Sequence, residues 1–305
     1  MDLILNILYD TFYHSTPVIL LSIGGVFAYK ANVLNIALEG MLLFGAFVSA
    51  YTIYQTGSVL LALMLALILT ILLGMLFSYF GITKKGHVII IGIAINMLVV
   101  AIGSFILKVE QIATINISQI VSVADQKINL WLIKDIPLLQ DVISGHPLMT
   151  YVSFILIFVL TTLMFKTKFG TYVRVVGENE EAAKSIGINV EKIKYLAISV
   201  GAVTSAIAGF NLAVERLALY TNSMSAGRGF IAIAAIYSGR GRPGLSSVYA
   251  IIFGLAQALA INLKLYAGPV SGLFEAIPYL VMVVVLVVVS IGNIKKETER
   301  GYPNV

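Results

Sequence analysis

The sequence predicts an all-α polytopic membrane protein of about nine transmembrane helices, within a range of eight to ten, one of them broken or half-length. Three observations carry that expectation. Hydrophobic residues make up 59% of the 305-residue chain and charged ones 11%, against roughly a quarter charged in a soluble domain. Uncharged runs recur at bilayer length, and residues 40–83 hold 44 positions without one charge. The polarity is instead concentrated: ten of the 35 charged side chains lie between residues 166 and 194.

A hydrocarbon core about 30 Å thick needs roughly 20 apolar helical residues. Residues 11–29 form the first candidate, ended by Lys30. The two aspartates and missing basic residues of positions 1–13 argue against a cleaved signal, leaving an amphipathic surface helix or the start of the first span. The 40–83 run is too long for one helix, and Gln55-Thr56-Gly57-Ser58 is its natural turn, giving spans at 36–54 and 59–82. A span at 87–107 follows the basic corner Lys84-Lys85. Residues 108–147, with two prolines and the only tryptophan, Trp131, read as an extracytoplasmic loop with an interfacial helix. Further spans are expected at 148–165, 195–214, 245–263 and 276–294, all within one transmembrane domain covering residues 1–305.

Between Arg216 and Arg240 no uncharged run is long enough to cross alone. Orientation decides its path. With the 295–305 tail, the 166–194 loop, Lys84, Lys85, Lys30, Arg240 and Arg242 all cytoplasmic, 14 of the 20 Lys and Arg lie inside, as the positive-inside bias requires. The chain must then cross once between 215 and 240, through a half-length helix with Arg228 near a cavity or interface. The N-terminus falls outside. Small residues four apart at Gly201, Ser205 and Gly209, and at Ala250, Gly254 and Ala258, mark faces where helix backbones can approach closely.

Inside the charged loop, Asn179 is a helix N-cap, and Glu180 and Glu181 follow in the first turn, where the macrodipole favours anions. Lys184 stands four residues after Glu180, Gly187 supplies a left-handed stop, and Ala182, Ala183 and Ile186 are the apolar contacts. A helix of about seven residues is marginal in water and needs tertiary or partner contacts to persist. A solvated loop containing one helical turn is the alternative.

The run Gly177-Glu178-Asn179 through Ala182-Ala183 to Gly187-Ile188-Asn189 resembles the cytoplasmic coupling segment of one permease family. These are the ABC importer permeases for ribose, branched-chain amino acids and nucleosides. Asn32-Val33-Leu34-Asn35-Ile36-Ala37-Leu38-Glu39-Gly40 resembles the family's early motif. Gly229-Phe230-Ile231-Ala232-Ile233-Ala234-Ala235 followed by Gly239-Arg240-Gly241-Arg242-Pro243 resembles its late one, with Gly241 where a bulky aromatic is usual. The Leu38-Glu39-Gly40 form and the chain length most resemble the nucleoside-importer members.

The resemblance implies a permease subunit in a bacterial-type cytoplasmic membrane, paired with a second homologous permease. It implies an ABC ATPase with two fused cassettes, which binds the ATP and Mg, and an extracytoplasmic lipoprotein that delivers the nucleoside. A simple-sugar or branched-chain amino acid substrate is the alternative within the family. An ion-coupled secondary transporter is a further alternative and would need a membrane-embedded acid pair, for which Glu39, Glu215 and Glu275 are the available residues, the latter two at span ends. An intramembrane enzyme would need clustered Asp, His and Glu at membrane depth, which the spacing does not supply. The coupling set implied is Glu178, Asn179, Glu180, Glu181, Ala182, Ala183, Ile186, Gly187 and Ile188.

Polar residues at membrane depth are the candidates for a substrate pathway. Asn96 falls near the middle of its span and needs either an interhelical partner or a ligand with donors and acceptors. Glu39 and Asn35 serve either the pathway or helix capping, since an unsupported carboxylate in the bilayer costs about 2.5–3.5 kcal/mol. Asn211, Gln257 and Asn262 are further candidates, and Phe230 or Tyr237 on the broken segment could stack on a base. The three histidines stand too far apart for a metal site, no serine has a nucleophile context, and no Gly-x-x-x-x-Gly-Lys-Ser/Thr run exists to cradle ATP. No catalytic residue, cofactor or nucleic-acid partner is therefore expected for this chain.

Overall fold

The computed structural model describes residues 2–122, 127–129, 137–264 and 268–299. Helices account for nearly all of it: α1 (Asp2–Lys30), α2 (Leu38–Thr56), α3 (Val59–Ser78), α4 (Val88–Val109), α5 (Pro137–Ile143), α6 (Leu148–Lys166), α7 (Lys168–Glu178), α8 (Glu180–Ser185), α9 (Val190–Phe210), α10 (Arg228–Ser238), α11 (Pro243–Lys264) and α12 (Ile277–Glu299). Among the described residues, seven of the helical segments are long and apolar enough to cross a membrane. α2 is more polar because it carries Glu39, Tyr51, Tyr54 and Gln55. α2 and the half-length α10 are the further apolar helices among the described residues.

Of the two readings of the N-terminal residues, the start of the first span is the one realised: α1 runs unbroken from Asp2 to Lys30. It forms the axis of the bundle, packing on α11, α9, α10 and α6. Its apolar window is 83% buried, whereas that of α12 is 6% buried. α1 is thus a core helix, and α12 lies at the periphery. On α3 the row Leu60, Met64, Ile68 and Leu72 is exposed at four-residue spacing, an apolar stripe suited to lipid.

The small-residue faces lie at the tightest crossings. A side chain at Gly209 would sit 2.4 Å from the Ala46 backbone nitrogen, and one at Gly254 would sit 2.5 Å from the Ser15 side chain. α9 therefore meets α2, and α11 meets α1, at backbone contact.

Beyond α9 the helix widens into one π turn, Asn211–Arg216, and stops. Leu219–Tyr220 (β2) then pairs antiparallel with Ile115–Asn116 (β1), the segment after α4, so this part lies at the end opposite the charged loop. The chain turns inward through Ala226 and Gly227, both in the left-handed region, and α10 begins. Eleven residues at 1.5 Å each give α10 about 16 Å, half a hydrocarbon core. The half-length helix expected between 215 and 240 is therefore present, preceded by a short strand and a turn.

The basic end brings together the segments that the charge pattern grouped. Gly177 packs on Lys30, Gly241 packs on Tyr29 and Lys30, and the Thr83 hydroxyl donates to Glu191. At the opposite end, α5 is the short helix expected in the 108–147 loop, the Tyr9 hydroxyl donates to the Gly145 carbonyl, and Tyr51 donates to Glu110. Trp131 and residues 300–305 of the tail lie outside the described residues.

Candidate coupling helix and translocation path

The charged loop folds as two helices, not one. α7 is amphipathic and buries Gly170, Val173 and Val176, with the Thr167 hydroxyl accepting from the Gly170 amide as its cap. The Val173–Val176 spacing was the signal for it, masked by the charges around it. α8 follows at once because Asn179 ends α7 in an extended conformation and caps α8, its Oδ1 accepting from the amides of Glu181 and Ala182 at 3.0 Å each. Gly187 lies at φ 82°, and the Ile188 amide donates back to the Ala183 carbonyl, the left-handed C-terminal closure expected.

The electrostatic support differs from expectation. Glu180 pairs with Lys194 at the base of α9 instead of Lys184, so the pair ties α8 to a long helix rather than to itself. Of the apolar contacts, Ala183 is fully buried, Ala182 is exposed, and Ile186 is 70% exposed. Glu178, Asn179, Glu181 and Gly187 are also exposed, and Ile188 is half-buried. One face of α8 is seated on the bundle, and the other offers a branched aliphatic side chain to water.

A cavity of about 440 Å³ opens beside α7, lined by Tyr29, Lys30, Arg174, Glu178 and Tyr237 among others. Another of about 530 Å³ lies under α8, lined by Lys85, Glu180, Lys184, Glu191 and Lys194.

At membrane depth, Asn96 stands eight residues into α4, about 12 Å from its start. Its Oδ1 accepts from the Gly40 amide at 2.8 Å and its Nδ2 donates to the Ile36 carbonyl at 3.2 Å. Asn96 thereby stitches α4 to the start of α2 and fixes the depth of Glu39 next to it. The Glu39 carboxylate accepts from the amide of Gly227 at 2.9 Å and of Gly229 at 2.6 Å, the first donors of α10. Asn35 is buried and holds the turn before α2 through the Ala37 amide, 3.1 Å away.

Phe230 and Tyr237, two turns apart on α10, are 48% and 42% exposed, so they mark an outward face of the half-helix. Tyr237 also meets Tyr29 edge-on with ring centroids 5.0 Å apart.

Of the remaining candidates, Asn211 and Asn262 are hydrogen-bonded inside the bundle. Asn211 is fully buried and donates to Glu215, whose carboxylate also accepts from the Met149 amide. In this conformation it is a packing residue rather than a pathway lining. Asn262 donates to Asp10 and to the Ala258 carbonyl. Gln257 and Arg228 line a cavity of about 260 Å³ with Lys264, Glu275 and Tyr279, which places Arg228 at a cavity as its charge demanded. The grouping of α10, α11 and α12 residues there had no local sequence signal.

Known permeases resemble this chain over most of its length. It is 32% identical over 281 residues to the guanosine ABC transporter permease NupQ of Bacillus subtilis, covering 89% of this chain and 85% of that one. It is 29% identical over 291 residues to the nucleoside ABC transporter permease NupC of Lactococcus lactis, covering 90% and 88%. Its fold resembles a solved ABC transporter of the metal-chelate type in an inward-facing conformation, with a TM-score of 0.54 at 17% identity over 92% of this chain and 85% of that one. The family described as branched-chain amino acid transport system, permease component, matches residues 7–289, and the chain therefore belongs to that family as a multi-pass ABC permease of the cytoplasmic membrane.

Proposed function

We propose that this chain is one permease subunit of an ATP-driven importer that carries nucleosides. The observation that carries the reading is α8: a capped six-residue helix, braced by Lys194, that turns Ile186 toward water in a chain otherwise built for lipid. Such a helix persists only on a supporting surface and has an unused apolar face. It fits a groove on a soluble ATPase, which holds the ATP and Mg, so this chain needs no cofactor of its own. The substrate class is supported by the names of the two relatives, one a guanosine and the other a nucleoside permease.

In the assembly, a second homologous permease covers the α10 face, and an ATPase with two fused cassettes grips both coupling helices. An extracytoplasmic lipoprotein delivers the nucleoside. Closure of the cassettes moves α8 as a lever. Because α7 and α8 pack on α1 and α9, the movement reaches the core of the bundle and opens it alternately to either side. Phe230 and Tyr237 then line the path at the interface between permeases, where an aromatic ring can stack on a base. Glu39 and Asn35 stand behind them, while Asn96 and Asn211 hold the wall in place.

The test is a reconstituted complex of this chain with its partner subunits, with ATP hydrolysis measured against a nucleoside panel and with ribose and leucine as controls. Stimulation by nucleosides alone is expected. Stimulation by ribose or leucine, with none by nucleosides, overturns the substrate assignment.

A further inference from the structure

The half-helix α10 starts against α2, and its first backbone amides have no acceptor within the helix itself. Two of its first donors, Gly227 and Gly229, both end on the one carboxylate of Glu39. The amide between them, Arg228, is served locally by the Ser225 carbonyl at 3.0 Å. Glu39 belongs to α2, nearly 190 residues away in sequence, so the start of α10 is capped from another helix. The fit is close: a side chain at Gly229 would sit 2.5 Å from the Glu39 backbone nitrogen and 2.7 Å from its Oε2.

The chain leading into this cap is strained and tethered. Ala218 at φ 49° and Ala226 at φ 44° occupy the left-handed region without being glycine. Asn222 donates to Ser104 on α4, the Tyr279 hydroxyl of α12 donates to the Ala226 carbonyl, and Arg228 folds back onto the Met224 and Ser225 carbonyls. The turn is thus strained and held by contacts to α2, α4 and α12.

We propose that Glu39 is the positioning residue that latches α10 to α2, and that its release from Gly227 and Gly229 accompanies opening of the transport path. The transport part rests on the permease reading above; the latch itself does not. A carboxylate is suited to the task because both oxygens accept. An amide in its place would turn an N–H toward one of the two backbone donors.

The chain has no cysteine, so Ser225→Cys supplies a unique reporter thiol at a buried position inside the turn. The full chain in proteoliposomes is treated with a membrane-impermeant maleimide. Loss of one such hydrogen bond is worth about tenfold in an opening equilibrium, so Glu39→Gln is expected to raise the labelling rate of the reporter thiol about tenfold. Gly229→Ala, which pries the two helices apart with Glu39 intact, raises it as well. Glu39→Asp keeps both oxygens on a shorter arm and falls between. In the complete transporter, Glu39→Gln lowers nucleoside moved per ATP hydrolysed while leaving ATPase recruitment unchanged.

Labelling of Glu39→Gln at the parent rate overturns the latch, whatever Gly229→Ala does. If Glu39→Gln does not assemble, Glu39→Asp decides: an intermediate rate supports the latch and a parent rate overturns it. The labelling arm needs neither ATPase nor nucleoside. Faster labelling with an unchanged transport ratio therefore keeps the latch and removes its part in transport. Failure of the substrate assignment leaves the labelling result standing.

Discussion

Ile186 separates docking from folding, because this large apolar side chain at the C-terminal end of α8 touches little of its own subunit, whereas Ile188 is half-buried. Full burial of an isoleucine is worth about 1.5–3 kcal/mol. With 70% of the residue still exposed, about 1–2 kcal/mol of that remains to be gained on contact with a partner. Ile186→Ser should therefore weaken binding of the ATPase by about five- to thirtyfold, with the thermal stability of the isolated subunit unchanged. Ile186→Leu keeps the apolar volume and should bind nearly as the parent does. The assay is the affinity of purified ATPase for the subunit in nanodiscs, paired with a melting curve. Equal affinity of the Ser variant and the parent would refute the claim that this face is buried by the partner. A fall in melting temperature matching the affinity loss would refute the claim that the side chain is free beforehand.

Asn179→Ala removes the two hydrogen bonds that its side chain accepts from the Glu181 and Ala182 amides at the start of α8. Loss of such a cap costs about 1 kcal/mol, so ATPase affinity should fall about fivefold while the span helices melt as before. Asn96→Leu orphans the Gly40 amide and the Ile36 carbonyl inside the bundle. It should lower stability by about 1–3 kcal/mol per orphaned group. Unchanged melting with lost transport would instead make Asn96 a substrate contact.

His146 gives a pH signature at the end opposite the charged loop. It is buried against Tyr9, its Nε2–H donates to the Val142 carbonyl, and burial pushes its pKa below the ordinary value. The folded state holds the neutral ring, so its contribution is complete above about pH 6.5 and is lost as pH falls through the lower folded value. Melting temperature should drop as pH is lowered from about 7 to about 5, and His146→Gln should flatten that dependence.

What the sequence disclosed and what it hid divide along range. Asn179 and Gly187 act on residues within four positions of themselves, so the start and stop of α8 could be read from the order of side chains alone. The half-length of α10 was also legible, because Arg216, Arg228 and Arg240 leave too short an apolar run and the charge pattern still demanded a crossing. The role of Glu39 was not: its partners lie at Gly227 and Gly229, and nothing near position 39 announces them. The same holds for Lys194, which reaches Glu180 only once α9 has packed beside α8. The sequence left two readings of residues 1–13 open, and what decides for a continuous α1 is long-range: Asp10 and His14 find their partners, Asn262 and Arg216, on distant segments of the chain.

The central claim is that α8 is a cytoplasmic handle gripped by a separate ATPase. Because the chain has no cysteine, Ile186→Cys places a single thiol at that point. In the assembled transporter this thiol should cross-link to the ATPase, and in right-side-out vesicles it should resist an impermeant maleimide added outside. Labelling of the Ile186→Cys variant from the outside, with no cross-link to the ATPase, would contradict the account.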